Sequence, residues 1–190
     1  MTDIKVIGYT ASTEGEVNAQ ILDAYGKAGM TYYYYDVPGE LTGWLDGNDD
    51  PVEVGTVSLA PGEGLWINAP STAYSIQTAG QVPTTGISVA LRSGFKLVVN
   101  STPVDVDLTD IDVMGYAEST EGEVNAQILD AYGKAGMTYY YYDVPGELTG
   151  WLDGNDDAVE ADAVVVAPGE ALWVNAPSAA FSMVIPGVTL

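Results

Sequence analysis

The chain has 190 residues, room for one large domain or two small ones, and 47% of them are apolar, which supports a packed core and argues against long disorder. The formal charge is −22, and Lys5, Lys27, Arg92, Lys96 and Lys134 are the only basic residues, so nucleic acid and anionic membrane surfaces, which need clustered Lys and Arg, are poor partners. With no Cys and no His there are no disulfides, no thiolate metal sites and none of the commonest general bases, and no run approaches the roughly 18 apolar residues of a membrane span.

Self-comparison shows how the chain is organised. Residues 12–50 recur unchanged at 119–157, an offset of 107. Weaker identity continues on both sides. Upstream, Asp3-Ile4 matches Asp110-Ile111. Downstream, Ala60-Pro61-Gly62-Glu63 matches Ala167-Pro168-Gly169-Glu170, and Leu65-Trp66 matches Leu172-Trp173. The sequence therefore divides into module one (1–83), an unrepeated segment (84–107) and module two (108–190).

Within module one, Asp3–Tyr9 reads as a first strand, and Met1–Val6 does not have the character of a signal peptide. Residues 14–25 fit two patterns. Thr13 and Glu16 suit a helix capping box ahead of Val17, Ile21, Leu22 and Tyr25. Alternation of Val17, Ala19 and Ile21 with Asn18 and Gln20 suits a strand that turns back into Met30–Asp36. The hairpin is the better reading, because Thr31-Tyr32-Tyr33-Tyr34-Tyr35 is a firm strand that needs a neighbour. Leu41–Leu45, Val52–Leu59, Gly64–Asn68 and Ala73–Val82 follow as short strands punctuated by Pro38-Gly39, Pro61-Gly62 and Pro70. In the unrepeated segment, Ile87, Val89 and Leu91 alternate with polar or small residues. After Ser93-Gly94, so do Phe95, Leu97 and Val99, a pattern that predicts a β-hairpin. The expected fold is all-β: two homologous tandem β-sandwich or barrel-like modules with an intervening β-hairpin. Which module that hairpin completes is left open, and the other module would expose a sheet edge.

Three features are candidates for a site. The 13 Tyr and 4 Trp against 2 Phe favour rings with a polar tip. In a strand, Tyr32 and Tyr34 face opposite to Tyr33 and Tyr35, and likewise Tyr139 and Tyr141 to Tyr140 and Tyr142. One pair covers the core, and the other forms a ladder for subunit contact, sugar stacking or plain sheet stabilisation. Trp44 and Trp151 join these as candidate contact rings. Asp46, Asn48 and Asp50, with Asp153, Asn155 and Asp157, place oxygens at every second residue, as a calcium loop does. The plainer reading is a solvated turn, since no Gly stands at the sixth position and no Glu at the twelfth. Trp66 and Trp173, following the Pro-Gly turns, read as core anchors, and Glu63 and Glu170 as turn carboxylates.

The stretches Pro61–Trp66 and Gly94–Pro103 carry a resemblance. They are similar to the "PGEGFW"-like turn and "GFNLVGNPxP"-like strand of uncharacterised β-rich tandem repeats in secreted or surface-exposed bacterial proteins. That resemblance implies an extracellular or cell-surface β repeat and supplies no catalytic residues. Taken together, the expectation is a non-enzymatic, self-assembling extracellular structural protein (a filament, sheath or surface-layer subunit) that associates with itself through sheet edges and Tyr/Trp faces. A carbohydrate-binding module is the alternative. A carboxylate-based glycoside hydrolase is remote, because pairs among 27 acidic residues arise by chance.

Overall fold

The computed structural model describes residues 4–8, 17–22, 28–37, 39, 41–69, 74–78, 81–91, 93–115, 124–129, 135–144, 146, 148–178 and 180–188. The chain forms two compact units. Unit one comprises Met1–Asp23, Lys27–Ala60 and Leu65–Gln81; unit two comprises Ala24–Gly26, Pro61–Gly64 and Val82–Leu190. The fold is all-β, every strand pairing is antiparallel, and the only helical element among the described residues is a 3-10 turn at Leu108–Asp110. Among the described residues no helix is long and apolar enough to cross a membrane.

Unit one contains β1 (Ile4–Ile7), β2 (Asn18–Leu22), β3 (Ala28–Val37), β4 (Leu41–Leu45), β5 (Leu65–Asn68) and β6 (Ser75–Thr78). They form a four-stranded sheet in the order β4-β3-β2-β5 and a two-stranded sheet, β1-β6. The hairpin reading of residues 17–36 holds: Asn18 lies opposite Tyr33 and Ala19 opposite Tyr32, with a bulge between Gln20 and Leu22. The β-branched and aromatic run at 31–35 wins over the helical spacing because it must pair on both sides, with β2 and with β4. Thr13 and Glu16, the capping-box pair of the helix alternative, lie outside the described residues, as do Pro38 and Pro70.

Unit two contains β7 (Ile87–Ala90), β8 (Gly94–Val99), β9 (Val106–Asp107), β10 (Asp112–Met114), β11 (Asn125–Leu129), β12 (Ala135–Val144), β13 (Leu148–Leu152), β14 (Val165–Val166), β15 (Ala171–Ala176) and β16 (Ser182–Ile185). The sheets are β13-β12-β11-β15-β8, β10-β16-β7 and β14-β9. One large core runs through them, with Leu91, Leu108, Ile111, Leu172, Met183 and Ile185 among its fully buried side chains.

Two expectations are corrected here. The segment 84–107 supplies β7, β8 and β9, yet β7 and β8 do not form a hairpin: β7 pairs with β16 and β8 with β15, in different sheets. β7 and β8 both bury apolar side chains (Ile87 and Val89; Val98) in the same core. Apolar alternation on either side of Ser93-Gly94 fits strands that pair with each other as well as strands that part to two sheets, so periodicity alone does not separate the two cases. Leu91 N donates to Phe181 O at 2.9 Å and so extends the β7–β16 pairing, while Lys96 Nζ reaches back from β8 to Ala90 O at 2.8 Å. Asn100, buried after β8, gives its amide hydrogens to Val104 O (2.9 Å) and Val166 O (2.8 Å) and accepts from Thr102 N and Oγ1. The second correction concerns Val52–Leu59, which is not a strand. Val52 N donates to Trp44 O and Thr56 N to Glu53 O, so the segment opens as a cover on the edge of β4 and then turns.

Candidate functional site

The tyrosine rows split as their alternation predicts. Tyr32 and Tyr34 are buried in unit one, and Tyr33 and Tyr35 are half-exposed. In unit two Tyr141 is buried, while Tyr139, Tyr140 and Tyr142 are half-exposed. Trp44 and Trp151 are not surface rings. They are 3% and 2% exposed, each packed edge-to-face on a tyrosine: Trp44 on Tyr34 and Trp151 on Tyr141, with ring centroids 5.2 Å apart in both pairs. Each indole also donates to a backbone carbonyl at equivalent positions, Trp44 Nε1 to Ile4 O of β1 at 2.8 Å and Trp151 Nε1 to Ile111 O, just before β10, at 2.7 Å. The tyrosine hydroxyls bond the backbone of Val6 and Val113, and burial pushes both hydroxyls up from their ordinary value. The polar tips that distinguish Tyr and Trp from Phe therefore tie one sheet of a unit to its other sheet. Trp44 and Trp151 offer no ring to a sugar or a partner.

The acidic loops close on themselves. Asp46 Oδ1 accepts from Asn48 N (2.8 Å) and Asp50 N (3.1 Å), and Asp153 Oδ1 accepts from Asn155 N (2.8 Å) and Asp157 N (3.1 Å). These backbone bonds hold both carboxyls below the ordinary value of 3.8. Asp49 and Asp156 take positive φ at the turn, a conformation Asp tolerates. Asp50 and Asp157 are exposed, and among the described residues no group of three or more carboxylates is placed to hold a metal. The geometry is that of a turn built on Asp side chains.

Trp66 and Trp173, read as core anchors, are the more exposed tryptophans. Trp66 is 38% exposed, and Trp173 is half-exposed and stacked on Phe95 with ring centroids 5.7 Å apart at 26°. The turn before Trp66 is fixed by glycine. Gly62 has φ +81°, its carbonyl accepts from Val99 N at 2.9 Å, and a Cβ there would collide with Val89. Glu170 Oε2 accepts from Ala167 N at 2.9 Å and so closes its own turn.

Setting equivalent strands side by side brings out a site that sequence reading left unassigned. β1 and β10 share one burial pattern (buried Ile4 and Val6; buried Ile111 and Val113), and β4 and β13 share another. β5 and β6 do not match their counterparts. Leu172, Val174 and Ala176 of β15 are buried, whereas Leu65 and Ile67 are half-exposed and Ala69 is exposed. Met183 and Ile185 of β16 are buried, whereas Ile76 is half-exposed and Thr78 exposed. The reason lies in the pairing: β15 and β16 each have neighbours on both sides, with β8 and β7 as the second ones, while β5 and β6 end their sheets. The opposite edge of the larger sheet is covered, since Leu45 bridges Pro51 and Val52 N bonds Trp44 O. The candidate site is thus the rim of β5, Leu65-Trp66-Ile67-Asn68, which pairs with no second strand among the described residues and is a stretch without charge or proline, the usual protections of an edge.

No protein-family model, no curated protein and no solved structure matches the chain.

Proposed function

We propose that this chain is a self-associating structural protein whose copies join through an exposed sheet edge of unit one. The two units are read as copies of one sandwich module, the second carrying β7 and β8 beside strands whose counterparts end their sheets among the described residues of the first. One observation supports this most: loss of burial in unit one falls on β5 and β6, the strands whose counterparts gain a neighbour in unit two. An apolar strand with unpaired backbone groups is a template for another strand. The half-exposed Tyr33 and Tyr35 add flat contact area beside it. The sequence resemblance to surface-exposed bacterial repeats favours an extracellular or cell-surface setting. The carbohydrate alternative loses support because Trp44 and Trp151 are internal.

The charge of −22 opposes association. Added salt therefore strengthens it by screening, and calcium serves as one more screening ion. Sedimentation velocity over a concentration series, with electron microscopy of the same samples, tests the proposal. Growth of species with concentration and with salt is expected. A single monomer boundary throughout would reject the proposal.

A further inference from the structure

We propose that the outward face of the large sheet of unit two binds a neutral polysaccharide, with the stacked Phe95–Trp173 pair as its aromatic platform and Asn125, Gln127 and Asn175 as its hydroxyl-pairing groups. This goes beyond the assembly reading and stands whether or not copies associate. It uses neither Trp44 nor Trp151, which are internal.

Pleat and register fix the face. On β15, Leu172, Val174 and Ala176 are buried, so Trp173 and Asn175 point away from the core. Residues directly opposite one another in a ladder share a face. One row therefore runs Tyr140, Asn125, Asn175, Phe95 across four strands, a span of roughly 14 Å, longer than one sugar ring. The next row runs Thr138, Gln127, Trp173, and Gln127 Nε2 donates to Thr138 Oγ1 at 2.6 Å. Phe95 stays 43% exposed beside Trp173, and Tyr140 and the three amides are half-exposed. The same face is closed at both sides. Leu97, opposite Trp173, is buried with Gly64 lying against it, and Leu152, opposite Tyr140, is buried too. Tyr142 extends the open strip opposite Gly150, where a Cβ would meet nothing within 4 Å.

The chemistry of the strip selects its occupant. The two rows and Tyr142 carry no charge, in a chain with 27 acidic residues. An anionic ligand is repelled by the whole molecule, and a cationic one finds its partners elsewhere on the surface. The strip presents rings beside side-chain amides, each amide with donors and an acceptor. A pyranose matches both at once: the C–H groups of its faces stack on rings, and the hydroxyls around its rim pair with amides. A second copy of the chain fits less well, because a protein cover would dry these amides and leave each one needing a partner, whereas a hydrated sugar keeps water beside them. The register recurs in unit one, where Asn18 stands opposite Tyr33 and Asn68, and Gln20 opposite Thr31 and Trp66. Two such rows on one chain suit a ligand that itself repeats, hence a polysaccharide.

The test runs the full chain in native gels cast with soluble polysaccharides: neutral β-glucan, mannan, xylan and dextran, and anionic pectate. Retardation by at least one neutral polymer and none by pectate is expected, with saturable calorimetry on oligosaccharides of the retarding polymer. Phe95→Ala removes an exposed ring outside the core and should weaken binding about tenfold, the scale of one lost aromatic contact. Trp173→Ala should weaken it at least as much, and a melting curve shows whether that variant is folded. Retardation by none of the four neutral polymers overturns the inference. So does binding that both substitutions leave intact, and so does equal retardation by pectate. Loss of concentration-dependent association in Phe95→Ala, with no polysaccharide bound by the parent, would make the strip a contact between copies and also overturn it. A chain that is retarded yet stays monomeric retains this inference and loses the assembly reading. A chain that associates but ignores every polymer does the reverse.

Discussion

At the scale of single residues, Trp44 and Trp151 are the structural tryptophans. Replacing Trp44 with Phe leaves Ile4 O without its donor and removes part of a packed ring. A buried unsatisfied carbonyl costs roughly 1–3 kcal/mol, so Trp44→Phe should destabilise unit one by about 2 kcal/mol or more in denaturant titration. Trp66→Phe, at a half-open surface position, should stay within about 0.5 kcal/mol of the parent. The acidic loops give a pH dependence of known sign. Asp46 and Asp153 are held below 3.8 by amides that donate to their ionised form. Groups depressed in the folded state add stability above the unfolded value and lose it as pH falls through the folded one. The melting temperature should therefore drop from about pH 4 downward, and the drop should be shallower in an Asp46→Asn, Asp153→Asn double variant.

At the scale of elements, most strands were legible because strict alternation and Pro-Gly punctuation mark where a pleat begins and ends. Leu41–Leu45 is a strand with the bounds its sequence suggests, and the Tyr run is the long central strand. What was not legible was partner choice. Ile87–Leu91 and Phe95–Val99 alternate alike whether they pair together or part to two sheets, and only the shared core of unit two decides. The tryptophans were misplaced for a similar reason. Trp44 follows Gly43 in a short strand and Trp66 follows a turn, and neither context reports which ring finds a backbone acceptor. The rim of β5 was invisible for a third reason: Leu-Trp-Ile-Asn and Leu-Trp-Val-Asn are nearly one sequence, and their difference lies in a neighbouring strand. That difference yields a prediction at this scale. Gln77→Val with Thr78→Ile gives β6 the residues of β16 and restores an apolar edge, so the variant should associate at lower concentration than the parent, as read by light scattering.

At the scale of the whole molecule, the chain joins one unit in which β15 and β16 have neighbours on both sides to one in which β5 and β6 end their sheets among the described residues, under a charge of −22 that sets how strongly copies repel. Salt tunes the repulsion and the open strand supplies the attraction. Hydrogen exchange of residues 65–68 against residues 172–175, at high dilution and at high concentration, reads that attraction at the strand itself. Exchange at 65–68 should be fast when dilute and slow markedly as copies accumulate, while 172–175 stay protected at both extremes. Equal exchange at 65–68 across the whole concentration range would contradict the account.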